Sequence, residues 1–72
     1  MYYTDRLKEL RDNFEYTQKE VADKIGVKRE QYRRYELGIN LLPITHLVSL
    51  CKLYHVSADY ILCLTDIHDY QA

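Results

Sequence analysis

The chain has 72 residues, 47% of them hydrophobic, and a formal net charge of −1. A fold of this size buries only about 60% of the surface that its unfolded chain exposes, so one small core is all that it can form. No apolar run reaches the length of about 18 residues that spans a bilayer, and the first residues lack the basic-then-apolar order of a signal peptide. We therefore expect one domain over residues 1–72, with a core at about 4–64 and a short tail at 65–72, in the cytoplasm and away from membranes.

Apolar residues recur at helical spacing along the chain, and no alternating β-branched run predicts a strand. Strong helix breakers are few and well separated. The sequence therefore predicts an all-α fold, a compact bundle of five helices. The first helix is predicted from a Thr4 cap to Phe14, and the residues on its inner side are Tyr3, Leu7, Leu10 and Phe14.

The next two predicted helices are short and joined by a glycine. Thr17 is a good cap for the second helix, which we expect to run to Ile25, and Glu20 completes a capping box three residues later. Gly26 suits the left-handed conformation that ends a helix. The third helix is then predicted over residues 28–37, and the pair has the form of a helix-turn-helix.

Two further helices follow. Pro43 suits the first turn of the fourth helix, where its missing N–H would have no partner in any case. Ser57 is a good cap for a fifth helix over about 58–64. Cys51 and Cys63 are expected to be reduced packing residues, because no export signal accompanies them.

The third predicted helix carries an unusual share of the positive charge. Four of the ten cations of the chain fall within residues 28–34. Such a run is often only a solvated helix face, and a near-zero total charge argues weakly against a nucleic-acid partner. The clustering on one helix of a helix-turn-helix favours DNA contact over a solvated face.

Several segments together carry a family resemblance, and they are residues 6–11, 17–22, 26–27, 34–38 and 47–62. With these segments, residues 5–66 resemble the lambda-repressor-like, Cro/CI-type helix-turn-helix family of prokaryotic and phage regulators. In that family the third helix lies in the DNA major groove, and the starts of the second and fourth helices bind phosphates. The resemblance implies double-stranded operator DNA as the partner, a homodimer as the working form, and no cofactor.

The resemblance also implies roles for individual residues. The expected base-contacting residues are Lys28, Arg29, Glu30, Gln31 and Arg34. The expected phosphate-contacting residues are Thr17, Gln18, Arg33 and Asn40. A structural ion pair between the first helix and the end of the third is expected from Arg11 and Glu36.

The chain departs from the family pattern at four positions. Lys28 stands where a serine or threonine cap is usual, and Tyr32 occupies an inward position that is normally aliphatic. Leu37 replaces a polar residue before the glycine, and Cys63 stands where glycine commonly ends the fifth helix. Base specificity therefore does not transfer from any relative.

Other interpretations stay open at this point. Tyr60, Leu64 and Ile67 recur at i, i+4 and i+7, either as ordinary core or as a self-association surface. The runner-up function is a protein-interaction module, such as an antitoxin or anti-repressor, that holds a regulatory protein partner on a tyrosine-rich surface.

Metal binding and enzymatic activity are both poorly supported by the sequence. Cys51 and His55, with His46 nearby, make only half of a tetrahedral metal site. The sequence has neither a phosphate-binding glycine loop nor a nucleophile beside a base, and either pattern would have indicated an enzyme. We expect neither a metal nor catalysis.

Overall fold

The structure is a computed structural model that describes residues 1–67. The described chain consists of five helices, α1 (Tyr3–Asn13), α2 (Gln18–Ile25), α3 (Arg29–Leu37), α4 (Ile44–Tyr54) and α5 (Ala58–Ile61), and contains no strand. The prediction of an all-α, five-helix bundle is confirmed. The end of the predicted tail, 68–72, lies outside the described residues. None of the helices in residues 1–67 combines the length and the hydropathy of a membrane-spanning segment.

Two helix starts differ from the prediction by one or two residues. Thr4 is not the cap of α1, because the helix already begins at Tyr3. The Asp5 carboxylate accepts a hydrogen bond of 3.2 Å from the backbone N–H of Tyr2, and its charge is favourable at a helix N-terminus. Pro43 is the residue that precedes α4 rather than a member of its first turn.

The start of α2 follows the predicted capping box. Thr17 Oγ1 accepts a hydrogen bond of 3.1 Å from the backbone N–H of Glu20, and Glu20 Oε1 accepts one of 2.9 Å from the N–H of Thr17. These bonds to Thr17 lower the pKa of the Glu20 carboxyl. At the other end, Gly26 has a φ of 81°, and the N–H of Val27 donates to the carbonyl of Ala22 at 2.9 Å. The chain reverses there and begins α3 within three residues.

All five helices contribute to one core. Its fully buried side chains are Leu7, Val21, Ala22, Tyr32, Leu50 and Ile61. Four tyrosines are buried, Tyr32 among them, and of the tyrosines in residues 1–67 only Tyr2 is exposed. The predicted tyrosine-rich docking surface is therefore wrong for the described residues, because the apolar rings fill the core of a small domain.

The last helix is shorter than predicted. It ends at Ile61 rather than near Leu64, and Cys63 has a φ of 63°, in the left-handed region. The N–H of Leu64 donates to the carbonyl of Asp59 at 2.8 Å and closes this turn. Cys63 thus adopts the conformation for which glycine is better suited. Cys63 and Cys51 are both free thiols.

Candidate nucleic-acid interface

The outer face of α3 carries the residues that were predicted to contact bases. Tyr32, Tyr35 and Glu36 form the buried face of α3 and pack it onto the core. The opposite side is exposed and begins with the residue that precedes the helix. Its exposed polar residues are Lys28, Arg29, Glu30, Gln31 and Arg34. The glycine turn after α2 therefore presents all five side chains to solvent from the first two turns of one short helix.

Lys28 precedes α3 without capping it. Its backbone is extended, with φ −77° and ψ 152°, as a cap requires, but its side chain makes no capping hydrogen bond. The reason is chemical, because an ammonium group donates hydrogen bonds and cannot accept one from the helix N–H groups. The start of α3 therefore lacks the side-chain acceptor that Thr17 supplies to α2.

Three charged residues of α3 form a cluster, which we call the Glu30 cluster and which consists of Glu30, Arg33 and Arg34. Arg33 donates from Nε to Glu30 Oε1 at 2.7 Å and from Nη2 to Oε2 at 2.8 Å. Arg34 donates from Nε to Oε2 at 3.1 Å. Arg33, followed by Arg34, lowers the pKa of the Glu30 carboxyl to about 2, and Glu30 raises the pKa of Arg33.

The remaining cations at the start of α3 are not paired. Among residues 1–67, neither Lys28 nor Arg29 takes part in an ion pair. The positive charge of residues 28–34 is thus divided into two unpaired cations at the helix start and two arginines bound to Glu30.

The amide of Gln31 is oriented by a buried tyrosine. Gln31 Nε2 donates a hydrogen bond of 2.8 Å to the hydroxyl of Tyr35, one turn further along α3. Tyr35 is itself buried, and its ring lies 6.0 Å from that of His46 on α4. A residue that packs between helices therefore limits the directions in which the Gln31 amide can point.

The four residues predicted to contact phosphates lie on three different segments. Thr17 precedes α2, Gln18 begins it, Arg33 belongs to the Glu30 cluster, and Asn40 is exposed in the loop after α3. Gln18 Nε2 donates a hydrogen bond of 3.3 Å to Glu36 Oε1. Gln18 is thus the member of this set whose side chain is held directly against the end of α3.

Arg11 and Glu36 form an ion pair between α1 and α3. Arg11 donates from Nε to Glu36 Oε2 at 2.7 Å and from Nη2 to Oε1 at 3.2 Å. The Glu36 side chain is 0% exposed and that of Arg11 is 19% exposed. The Glu36 hydrogen bond, opposed by partial burial, raises the pKa of Arg11. Arg11 Nη1 also donates to the carbonyl of Tyr16 at 3.1 Å, so one guanidinium connects α1, the following loop and α3.

The structure does not place Tyr60, Leu64 and Ile67 on one exposed surface. Tyr60 is only 8% exposed, whereas Leu64 and Ile67 are 73% and 68% exposed. The Arg6 guanidinium carbon lies 3.9 Å from the centroid of the Tyr60 ring, and the Tyr60 hydroxyl donates to Glu9 at 3.3 Å. Tyr60 therefore belongs to the core, and of these three residues only Leu64 and Ile67, which follow α5, are exposed.

Two sets of hydrogen bonds on this surface were not predicted, those to Glu30 from Arg33 and Arg34 and that from Gln31 to Tyr35, although the sequence spacing of these residues indicates them. Glu30 lies three and four residues before its two arginines, and Gln31 lies four before Tyr35. Side chains at these spacings are neighbours on a helix surface. Among residues 1–67, no group of three or more His, Cys, Asp or Glu residues is placed to hold a metal ion.

Comparison with known proteins establishes the family. The helix-turn-helix family model matches residues 7–61, which include α2 to α5 and all of α1 except its first four residues. The chain therefore belongs to the Cro/CI-type helix-turn-helix family, and the predicted resemblance is confirmed.

Curated relatives carry the same class of name. The chain is 43% identical to the uncharacterized HTH-type transcriptional regulator YobD of Bacillus subtilis over 67 residues, which are 93% of this chain and 60% of YobD. It is 40% identical to the HTH-type transcriptional regulator ImmR of the same organism over 57 residues, or 79% of this chain and 45% of ImmR. A third relative, the SPbeta prophage-derived uncharacterized HTH-type transcriptional regulator YonR, is 33% identical over 60 residues, or 83% of this chain and 56% of YonR. The chain spans about half the length of the curated relatives that it matches. No solved structure gave a significant match.

Proposed function

We propose that this chain is a sequence-specific, double-stranded DNA-binding domain of a transcriptional regulator, acting as a repressor, with α3 in the major groove. The observation that carries the proposal is the exposed, cation-rich outer face of α3 in a member of the helix-turn-helix family. A major groove about 12 Å wide admits one α-helix. The buried face of α3 is packed on the core, so its outer face is the one that is free to enter.

The chemistry of the side chains suits the roles that we assign. Arg29 is exposed and unpaired, and arginine offers guanine two parallel hydrogen bonds. Gln31 is suited to adenine, and Glu30 is able to accept from a cytosine amino group. Lys28 and Arg34 complete the proposed base-contacting set. The proposed phosphate contacts are Thr17, Gln18, Arg33 and Asn40.

We further infer that the chain works as a homodimer on a two-fold operator in the cytoplasm. Half-sites one helical turn apart require recognition helices about 34 Å apart. The described chain is 29 Å in its longest dimension and supplies one such helix, so a second copy has to supply the other. Leu64 and Ile67, which are exposed after α5, are the apolar residues that we place at the contact between copies.

A DNA titration tests the proposal directly. Fluorescence anisotropy with fragments from around the gene, at two salt concentrations, should give saturable binding tighter than that to random duplex. The slope of log affinity against log salt should be about −0.9 for each phosphate contacted. The double variant Arg29→Ala and Arg34→Ala should abolish binding. The control Lys8→Ala and Lys52→Ala, which removes the same charge from exposed positions on α1 and α4, should retain it.

One outcome would overturn the proposal. If the protein gives a helical circular dichroism spectrum and yet binds no duplex at low salt, it is not a DNA-binding domain. A flat salt dependence would contradict the proposed phosphate contacts.

A second candidate function is supported by a different surface. The end of α3, the loop after it and the outer side of α4 expose five large apolar residues, which are Leu37, Ile39, Leu41, Ile44 and Val48. A protein-interaction module, an antitoxin or anti-repressor that binds a regulatory protein, would use such a surface. The double variant Arg29→Ala and Arg34→Ala separates the two functions, because it should leave the capture of a protein partner intact.

A further inference from the structure

One carboxylate on the proposed recognition helix is shared by two guanidinium groups. Glu30 accepts both bonds of a bidentate contact with Arg33 and a third bond from Arg34. A carboxylate oxygen has about two acceptor positions. Oε2 therefore has both of its positions occupied in the free protein, and Oε1 has one occupied.

No cation of α2, and neither cation at the start of α3, shares a carboxylate with a second cation in the ion pairs of the described residues. Lys19 on α2 pairs with a single carboxylate, that of Asp23, at 3.0 Å. Lys28 and Arg29 have no carboxylate partner among the described residues. Arg33 and Arg34 are thus the two cations of α3 with donors already bound to an anion of the protein itself, namely Nε and Nη2 of Arg33 and Nε of Arg34, and a phosphate could reach those donors only in competition with it.

We propose that Glu30 is a specificity-determining residue: on arbitrary sequence, where Arg34 has no matching base, Glu30 is an internal anion that competes with DNA phosphates for both Arg33 and Arg34 and so weakens non-specific binding. This inference rests on the proposed function. Non-specific binding comes almost entirely from phosphate neutralisation, so an internal competitor for two arginines opposes it directly. At the operator, the base contacts proposed for Arg29 and Gln31 add favourable free energy that does not depend on releasing any arginine from Glu30. Glu30 therefore widens the gap between specific and non-specific affinity.

Glu30→Gln tests the inference, because the amide keeps the size of the side chain and removes its charge. We expect affinity for random duplex to rise about fivefold, the effect of one charge at about 4 Å in water. The log-log salt slope should become steeper by about 0.9 for each arginine that gains a phosphate. The ratio of operator affinity to random-duplex affinity should fall.

A matched control separates this effect from net charge. Asp59 is an exposed acid in the first turn of α5, and Asp59→Asn changes the net charge by the same amount. We expect its random-duplex affinity and salt slope to stay close to those of the unmodified protein, since α5 carries none of the residues of the proposed interface. Glu30 is exposed and fills no core position, and Glu30→Ala is a second variant that should behave like Glu30→Gln.

Three results would contradict this inference, and they differ in what they mean for the proposed function. If Glu30→Gln and Asp59→Asn bind random duplex equally, with equal salt slopes, the inference fails while the proposed function stands. If NMR titration of the free protein finds the Glu30 carboxyl near its ordinary pKa of 4.5 rather than near 2, the shared ion pair does not form and the inference fails. If no variant binds duplex at low salt while Glu30 titrates near 2, the proposed function fails and the inference fails with it.

Discussion

Arg11 donates two hydrogen bonds to the carboxylate of Glu36, one of 2.7 Å from Nε and one of 3.2 Å from Nη2, although the two residues are 25 positions apart in the sequence. Glu36 is the last acidic residue of α3, and its side chain is fully buried. Gln18, at the start of α2, bonds to the same carboxylate. The orientation of the proposed recognition helix relative to α1 and α2 therefore depends on one buried charge.

Removing Arg11 should strongly destabilise the fold. Arg11→Ala leaves the Glu36 carboxylate buried without its cation, and we expect a loss of about 3 kcal/mol in the free energy of unfolding. For a domain of this size, that loss corresponds to a fall of about 12 °C or more in melting temperature. Thermal melts followed by circular dichroism check it. Lys8→Ala, at an exposed position on the same helix, should change the free energy by less than about 0.5 kcal/mol, and equal shifts for the two variants would contradict the prediction.

Supplying a cap to α3 should stabilise the protein. Lys28→Ser places a hydroxyl acceptor at a residue whose backbone is already extended, with φ −77° and ψ 152°. We expect the free energy of unfolding to rise by about 1 kcal/mol. Lys28→Ala is the matched control, because it removes the same charge and supplies no acceptor. Denaturant unfolding should rank the serine variant above the alanine variant, and the reverse order would show that the N–H groups of α3 do not need a cap.

The Tyr35 hydroxyl should affect base discrimination more than overall affinity. Tyr35→Phe keeps the ring and removes the acceptor of the Gln31 amide, at a cost of about 1 kcal/mol in stability. If Gln31 contacts a base, the variant should discriminate less between the four base pairs at one position of the operator. Titrations against single base-pair variants of the operator measure this loss, and Gln31→Ala should relax the same position. A uniform loss at every position would instead mean that Tyr35 acts through the fold alone.

Acid should weaken the fold in a defined pH window. The pKa of Glu30 falls from 4.5 to about 2 because of its bonds to Arg33 and Arg34, and the bonds to Thr17 lower the pKa of Glu20. A carboxyl with a depressed pKa contributes stability above its unfolded pKa and loses it as the pH falls through its folded pKa. Melting temperatures should therefore fall between about pH 5 and pH 2.

The contribution of Glu30 to this window can be isolated. Glu30→Gln should show a weaker dependence of melting temperature on pH than the unmodified protein. Because Glu30 is exposed, salt should screen the difference and shrink it. Identical pH profiles for the two proteins at low salt would mean that the Glu30 cluster adds nothing to stability.

Much of the helix-turn-helix was predictable because its signals are local. The Thr17 cap and the Gly26 turn each depend on atoms within a few residues along the chain, and short-range chemistry of this kind is visible in sequence. The start of α1 was misjudged for a related reason. Thr4 and Asp5 are both good residues for a helix N-terminus, and the sequence does not say which of the two will satisfy the first N–H groups.

The sequence by itself determined the five helices, the turn between α2 and α3, and the charge on the outer face of α3, since periodicity and capping act within one or two helical turns. Only the tertiary structure decided that Tyr60 packs beneath Arg6 while Leu64 stays exposed, because an apolar spacing does not say whether another helix covers it. It also decided that Glu36 is fully buried against Arg11. The physical reason is the same in both cases: burial depends on residues that are distant in sequence and meet only when the helices pack.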